Sequence, residues 1–140
     1  MVRIILAILA VFAAWSALDF IVHGLILAAA YQATSQLWRP MTQMKMGILH
    51  VAVLIAAIAF VLIYLRLIAQ KGIIRGLEYG LLFGLATGVS MGFGTYSVMP
   101  IPAFMAIVWF IGSLVEGAVG GIIAAAIIKE QSTFKRIFGR

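Results

Sequence analysis

No cysteine occurs in the 140 residues, which excludes a disulfide framework, a thiolate metal site and a cysteine nucleophile. Charge is nearly as scarce. Asp, Glu, Lys and Arg make up 10% of the chain, against about 25% in a water-soluble domain. So few charges cannot cover a water-facing surface, which excludes a soluble enzyme, a disordered tail and a soluble nucleic-acid-binding domain. Several catalytic signatures are missing as well. There is no HExxH, no phosphate-binding loop and no dinucleotide fingerprint in the sequence. Gly76–Gly92 is glycine-rich, but no Lys-Ser/Thr follows it and the segment is too apolar to cradle a phosphate.

What the chain has is apolar surface. Residues of the AVILMFWYC set account for 65%, and the mean hydropathy is +1.19. A membrane-crossing helix needs about 20 mostly apolar residues. Four stretches qualify, at about 4–31, 47–69, 77–98 and 101–128. None alternates polar and apolar residues as barrel strands do, so helices are the expected form. The reading is all-α: one polytopic domain over 1–140, with four transmembrane helices in an antiparallel bundle. Met1–Val2–Arg3 before an apolar run fits the start of a signal peptide, but the run continues through Phe20–Ala30. It therefore reads as an uncleaved first helix.

The net charge of +6 is a matter of placement. Arg3, Arg66, Lys71, Arg75, Lys129, Lys135, Arg136 and Arg140 fall at the termini and the second loop, whereas the first loop holds Arg39 and Lys45. By the positive-inside rule both termini are cytoplasmic. Basic residues so placed are topology signals and lipid-headgroup contacts, which argues against a nucleic-acid partner.

Charge within a span needs a reason. Asp19 and His23 are an i,i+4 pair on one face of the first helix, with Ser16 nearby; the fourth helix supplies Glu116, with Ser113 one turn earlier. Asp19 and Glu116 fall at similar depths, where two carboxylates can share a proton or hold a cation. The alternative is a self-satisfied polar pair that locks one helix face. Glu78, beside Arg75 at a helix start, is structural.

Glycine recurs at Gly76, Gly80, Gly84, Gly88 and Gly92, and small residues flank Glu116 at Gly112 and Gly120. Such stripes let helices approach closely in lipid. The two glycine faces either meet within the chain or form a dimer seam. A further constellation is Met41-x-x-Met44-x-Met46 followed by His50. With His23, these residues could ligate copper, because thioethers select Cu(I) and imidazole suits copper. The alternative is that methionine fills a membrane interface. Trp38–Arg39–Pro40 reads as an aromatic belt anchor.

Asp19-x-x-x-His23-Gly24, Tyr31, Leu37–Trp38–Arg39–Pro40, Met44 and the later Trp109–Phe110, Gly112 and Leu114–Val115–Glu116 give nearly the whole chain a resemblance to a group of small bacterial four-helix membrane proteins. The resemblance implies a bacterial inner-membrane location and brings no activity with it.

Three functions follow. The first is a non-enzymatic membrane protein, acting as an accessory subunit of a membrane complex or as a homo-oligomer around a polar core. The second is a small proton- or cation-coupled transporter or channel using Asp19, His23 and Glu116. The third is a copper-binding protein of the outer face.

Overall fold

The computed structural model describes residues 1–128. The basic residues Lys129, Lys135, Arg136 and Arg140, and the end of the expected domain, lie outside the described residues. Those described form helices and their connections, with no strand among them.

Among the described residues, four helices are long and apolar enough to cross a membrane: α1 (Val2–Ile26), α3 (Met46–Leu67), α4 (Ile73–Val98) and α5 (Ala103–Ile127). A short α2 (Ala28–Ala33) follows α1. The first expected span, 4–31, is thus not one continuous helix. From Phe20 to Ile26 the backbone takes the wider π-helical form, and at Leu27 it leaves helical geometry with φ −95° and ψ 2°. The chain then turns through α2 and two short 3₁₀ turns, Ser35–Leu37 and Met41–Gln43, into α3. A second π-helical turn, Val89–Gly94, interrupts α4.

Absent side chains decide how α4 and α5 pack. Gly76, Gly80, Gly84, Gly88 and Gly92 are all buried. A β-carbon on Gly80 would land on the carbonyl of Gly117, one on Gly84 on that of Ser113, and one on Gly92 2.5 Å from that of Ala106. The register falls along α5 as it rises along α4, so the two helices run in opposite directions with their backbones touching. The row facing the stripe is Ser113–Gly117–Gly121, not the Gly112–Glu116–Gly120 row. That second row turns to α1, where a β-carbon on Gly112 would meet a Val22 methyl at 3.4 Å and one on Gly120 would meet the Trp15 indole. Helix α5 therefore has two small-residue faces, each spent on a different neighbour.

The buried apolar residues form two clusters. One joins Ala7, Val11 and Trp15 of α1 to Ala57, Phe60, Val61 and Tyr64 of α3 and to Ala124 and Ala125 of α5. Its rings interlock, with Trp15 and Phe60 edge-on at 5.1 Å and Phe60 and Phe83 at 5.0 Å. The other joins Leu27, Ile101, Met105 and Trp109, near the connection between α2 and α3. Helix α3 is buried through Ala57, Phe60, Val61 and Tyr64, while Met46 to Ala52 are all exposed.

Where α3 ends, its last carbonyls have no partner within the helix. The Lys71 ammonium supplies one, donating to the carbonyls of Tyr64 at 2.7 Å and Leu65 at 3.0 Å, and also to that of Ile68. It sits 4.9 Å from the Tyr64 ring centre, in cation–π range. Burial lowers the Lys71 pKa, and the three carbonyl acceptors oppose that pull by favouring the charged form. Lys71→Met keeps the stem and removes the donor. It should cost about 1–3 kcal/mol, read as unfolding at a lower denaturant fraction in mild detergent; an unchanged curve would mean the cap contributes nothing.

Candidate functional site

Between the two apolar clusters lies a polar one. Asp19 closes the α-helical part of α1 and His23 sits in its π-helical turn. A π turn is a costly local form that is found most often where a side chain has to be aimed. The His23 Nε2 is 3.8 Å from Asp19 Oδ1. Across the α1–α5 contact, the Asp19 and Glu116 carboxyl groups lie close enough to act on each other. Glu116 is brought there because its helix face, between Gly112 and Gly120, is the one packed on α1. The same contact is pinned from below, where the Trp15 indole N–H donates to the Glu116 main-chain carbonyl at 2.7 Å.

The other side of His23 is occupied too. Its Nδ1 is 2.6 Å from the Tyr31 hydroxyl, which also accepts the Trp109 indole N–H at 3.1 Å. With the hydroxyl oxygen taken by Trp109, the Tyr31 proton is free to go to Nδ1, which places the ring proton on Nε2 toward Asp19. Glu116, Asp19, His23, Tyr31 and Trp109 thus form a chain of contacts through α5, α1, α2 and back to α5. Trp38 extends it as an aromatic wall. Its ring lies 5.3 Å from Tyr31 and 6.2 Å from Trp109, both edge-on, and its N–H donates to the buried Thr34 hydroxyl at 2.8 Å. Trp38, expected as a lipid-interface anchor, is half-buried against these rings.

No protein-family model, curated protein or solved structure matches this chain. What the site can do must come from its own residues.

The remaining sequence candidates are placed differently. Ser16 is on the Asp19 side of α1, with its hydroxyl buried and without a hydrogen-bond partner among the described residues. Ser113, expected beside Glu116, lies on the α4 seam, its carbonyl against Gly84 and its Cβ against Gly88. His50 hydrogen-bonds the Met46 main-chain carbonyl through Nδ1 at 2.7 Å. A carbonyl only accepts, so Nδ1 carries the proton and Nε2 is left bare. Met41, Met44 and Met46 are exposed on the connection and the start of α3; the link from His50 to this segment is to a backbone oxygen, not to sulfur. Among the described residues no group of three or more His, Cys, Asp or Glu is placed to hold a metal ion. Glu78 pairs with Arg75 at 2.7 Å on the first turns of α4, as a helix start favours.

Two participants, Tyr31 and Trp109, carry no charge to draw attention in a sequence. Their signal is the polar tip: a buried hydroxyl or indole N–H in an apolar segment needs a partner. Tyr31→Phe would leave the Trp109 N–H and His23 Nδ1 without theirs. The expected loss is about 1–3 kcal/mol of stability, read by denaturant titration of the solubilised protein; an unchanged midpoint would mean that the hydroxyl is not holding α2 against α5.

Proposed function

We propose that this chain is a bacterial inner-membrane protein, a four-helix antiparallel bundle with both termini cytoplasmic, that moves protons as a small transporter or channel. The observation that carries the reading is the continuous contact Glu116–Asp19–His23–Tyr31, made of groups that gain and lose protons, inside an apolar bundle. Ionisable groups at membrane depth are expensive to place and mark proton or ion pathways when they are kept. Two facing carboxyls hold a proton between them, because like charges that close resist full ionisation. His23 has a hydrogen-bonding group on each side, as a relay needs.

Four helices do not enclose a pathway, so the working form is a homo-oligomer in the lipid bilayer. The exposed stretch Met46–Ala52 of α3 is free to join it. The same stretch supports the second reading, an accessory subunit whose polar core locks α1 to α5 and whose α3 contacts another membrane protein. Copper binding at His23, His50, Met41, Met44 and Met46 rests on the spacing of those residues, and metal analysis of the purified protein tests it.

The deciding experiment is proton flux in vesicles. Reconstituted protein should collapse an imposed pH gradient faster than protein-free vesicles do, at a rate proportional to the protein incorporated. Equal rates would leave the accessory-subunit reading, and isolation in mild detergent would then bring down a stable hetero-complex.

A further inference from the structure

The two histidines of the chain are held in opposite forms. His50 donates from Nδ1 to the Met46 carbonyl at 2.7 Å, so its Nε2 is bare. His23 receives at Nδ1 from the Tyr31 hydroxyl at 2.6 Å, which puts its ring hydrogen on Nε2. The two nitrogens of an imidazole are distinct, and which one carries the hydrogen is set by the bond the other makes. For His50 the cause is local, a carbonyl one turn back on its own helix. For His23 the cause lies on another helix, in Trp109.

An indole N–H only donates, and that of Trp109 is spent on the Tyr31 oxygen at 3.1 Å. The ring is held in place, buried with Leu27, Ile101 and Met105 and with Trp38 edge-on at 6.2 Å. Trp38 is tied in turn to Thr34, whose hydroxyl donates to the Ala30 carbonyl at 2.7 Å. If His23 carried its hydrogen on Nδ1, two N–H groups would converge on the one Tyr31 oxygen. The Tyr31 hydrogen would then lose its acceptor, and it makes no other hydrogen bond among the described residues. A polar hydrogen left without a partner in an apolar setting makes that form the minor one, by about tenfold or more.

We propose that Trp109 is a positioning residue of the proton path: by occupying the Tyr31 oxygen it holds His23 in the Nε2–H form, ready to take a proton at Nδ1 and release one at Nε2. The inference rests on the proton-translocation reading and gives the path a direction at this ring, from Tyr31 to Asp19. In one transfer the Tyr31 hydroxyl passes its proton to Nδ1 and takes another from water, while the Nε2 proton goes to the Asp19 carboxylate, 3.8 Å away. The ring is left in the Nδ1–H form that Trp109 disfavours, which favours its return to the resting form.

The test is nitrogen-15 NMR of the full-length protein in mild detergent, labelled at histidine, at a pH where both rings are neutral. With two histidines in the chain, His50 is the internal reference, assigned through His50→Gln. The expected result is His23 as Nε2–H and His50 as Nδ1–H. Trp109→Phe keeps an apolar ring and removes the donor. It should raise the Nδ1–H form of His23 about tenfold and leave His50 as it was. Proton flux in vesicles should slow in proportion to the Nε2–H fraction lost. Tyr31→Phe removes the same bonds from the other end and should also mix the two forms of His23, which keeps the test open should Trp109→Phe misfold. Both histidines in the same form in the unaltered protein, or His23 unchanged in both variants, overturns the proposal. So does an equal change at His50, the mark of general loosening. Flux without the tautomer response overturns this inference and leaves the translocation reading standing, whereas the tautomer response without flux removes that reading and the direction with it.

Discussion

Gly80→Leu should yield no folded protein. A β-carbon there falls on the Gly117 carbonyl, and the reciprocal β-carbon on Gly117 falls on that of Gly80. Both obstacles are backbone, so no rotamer change relieves them. The helices must separate, and Gly76, Gly84, Gly88 and Gly92 lose their close contacts with α5 at the same time. Ordinary overpacking costs about 1–3 kcal/mol because neighbours yield. Here the cost should exceed about 4 kcal/mol, enough to consume much of a small protein's stability. The readout is the fraction recovered as a monodisperse peak in mild detergent. Gly47→Leu is the control: nothing lies within 4 Å of a β-carbon at Gly47, and recovery should be unchanged. Normal recovery of Gly80→Leu would mean that α4 and α5 do not pack through this stripe.

Asp19→Asn should reduce proton flux in reconstituted vesicles to that of protein-free vesicles. Asparagine matches aspartate in shape and can still hydrogen-bond Glu116, so the α1–α5 contact survives. What disappears is the only acid between Glu116 and His23 in the chain of contacts. Glu116→Gln removes the next acid and should have the same effect, since a proton path fails at any missing step. His23→Gln breaks the path at its following step and should abolish the flux as well, without touching the carboxyl pair. Flux unchanged in Asp19→Asn, at equal incorporation, would leave the polar cluster a structural lock and favour the accessory-subunit reading.

Much of this arrangement was readable from residue patterns, and the failures have physical causes. Span length and hydropathy are local properties, so the four long apolar helices follow from counting. The Gly76-to-Gly92 row announces a close contact, because no other reason for such spacing survives in lipid. Which row of α5 it meets was not readable. Gly112–Glu116–Gly120 and Ser113–Gly117–Gly121 differ by one residue, about 100° of helix rotation, and small residues occur in both. The pairing of Asp19 with Glu116 depends on that choice, since it exists because the first row turns to α1. Tyr31 and Trp109 escaped for another reason. Tyr31 reaches His23 through the break at Leu27, and a continuous helix over 4–31 gives no hint of that turn. Ser113 was drawn to Glu116 by sequence proximity, whereas the α4 contact takes it to the other side of the helix.

The π-helical turn at Phe20–Ile26 makes α1 two mechanical parts instead of one rod. An α-turn repeats every 3.6 residues, and the i→i+5 pattern holds about one residue more per turn. Shortening the chain by one residue between Phe20 and Ile26 would let the turn relax to ordinary α geometry while Trp15 and Asp19 stay docked on α5. Six residues in α geometry turn the chain about as far as seven in the wider form, so everything beyond would keep nearly its present phase and Tyr31 and Trp38 would stay beside Trp109. What the surplus residue sets is the aim of the turn's own side chains: a single-residue deletion in this segment should leave the fold standing and move His23 off the line between Asp19 and Tyr31.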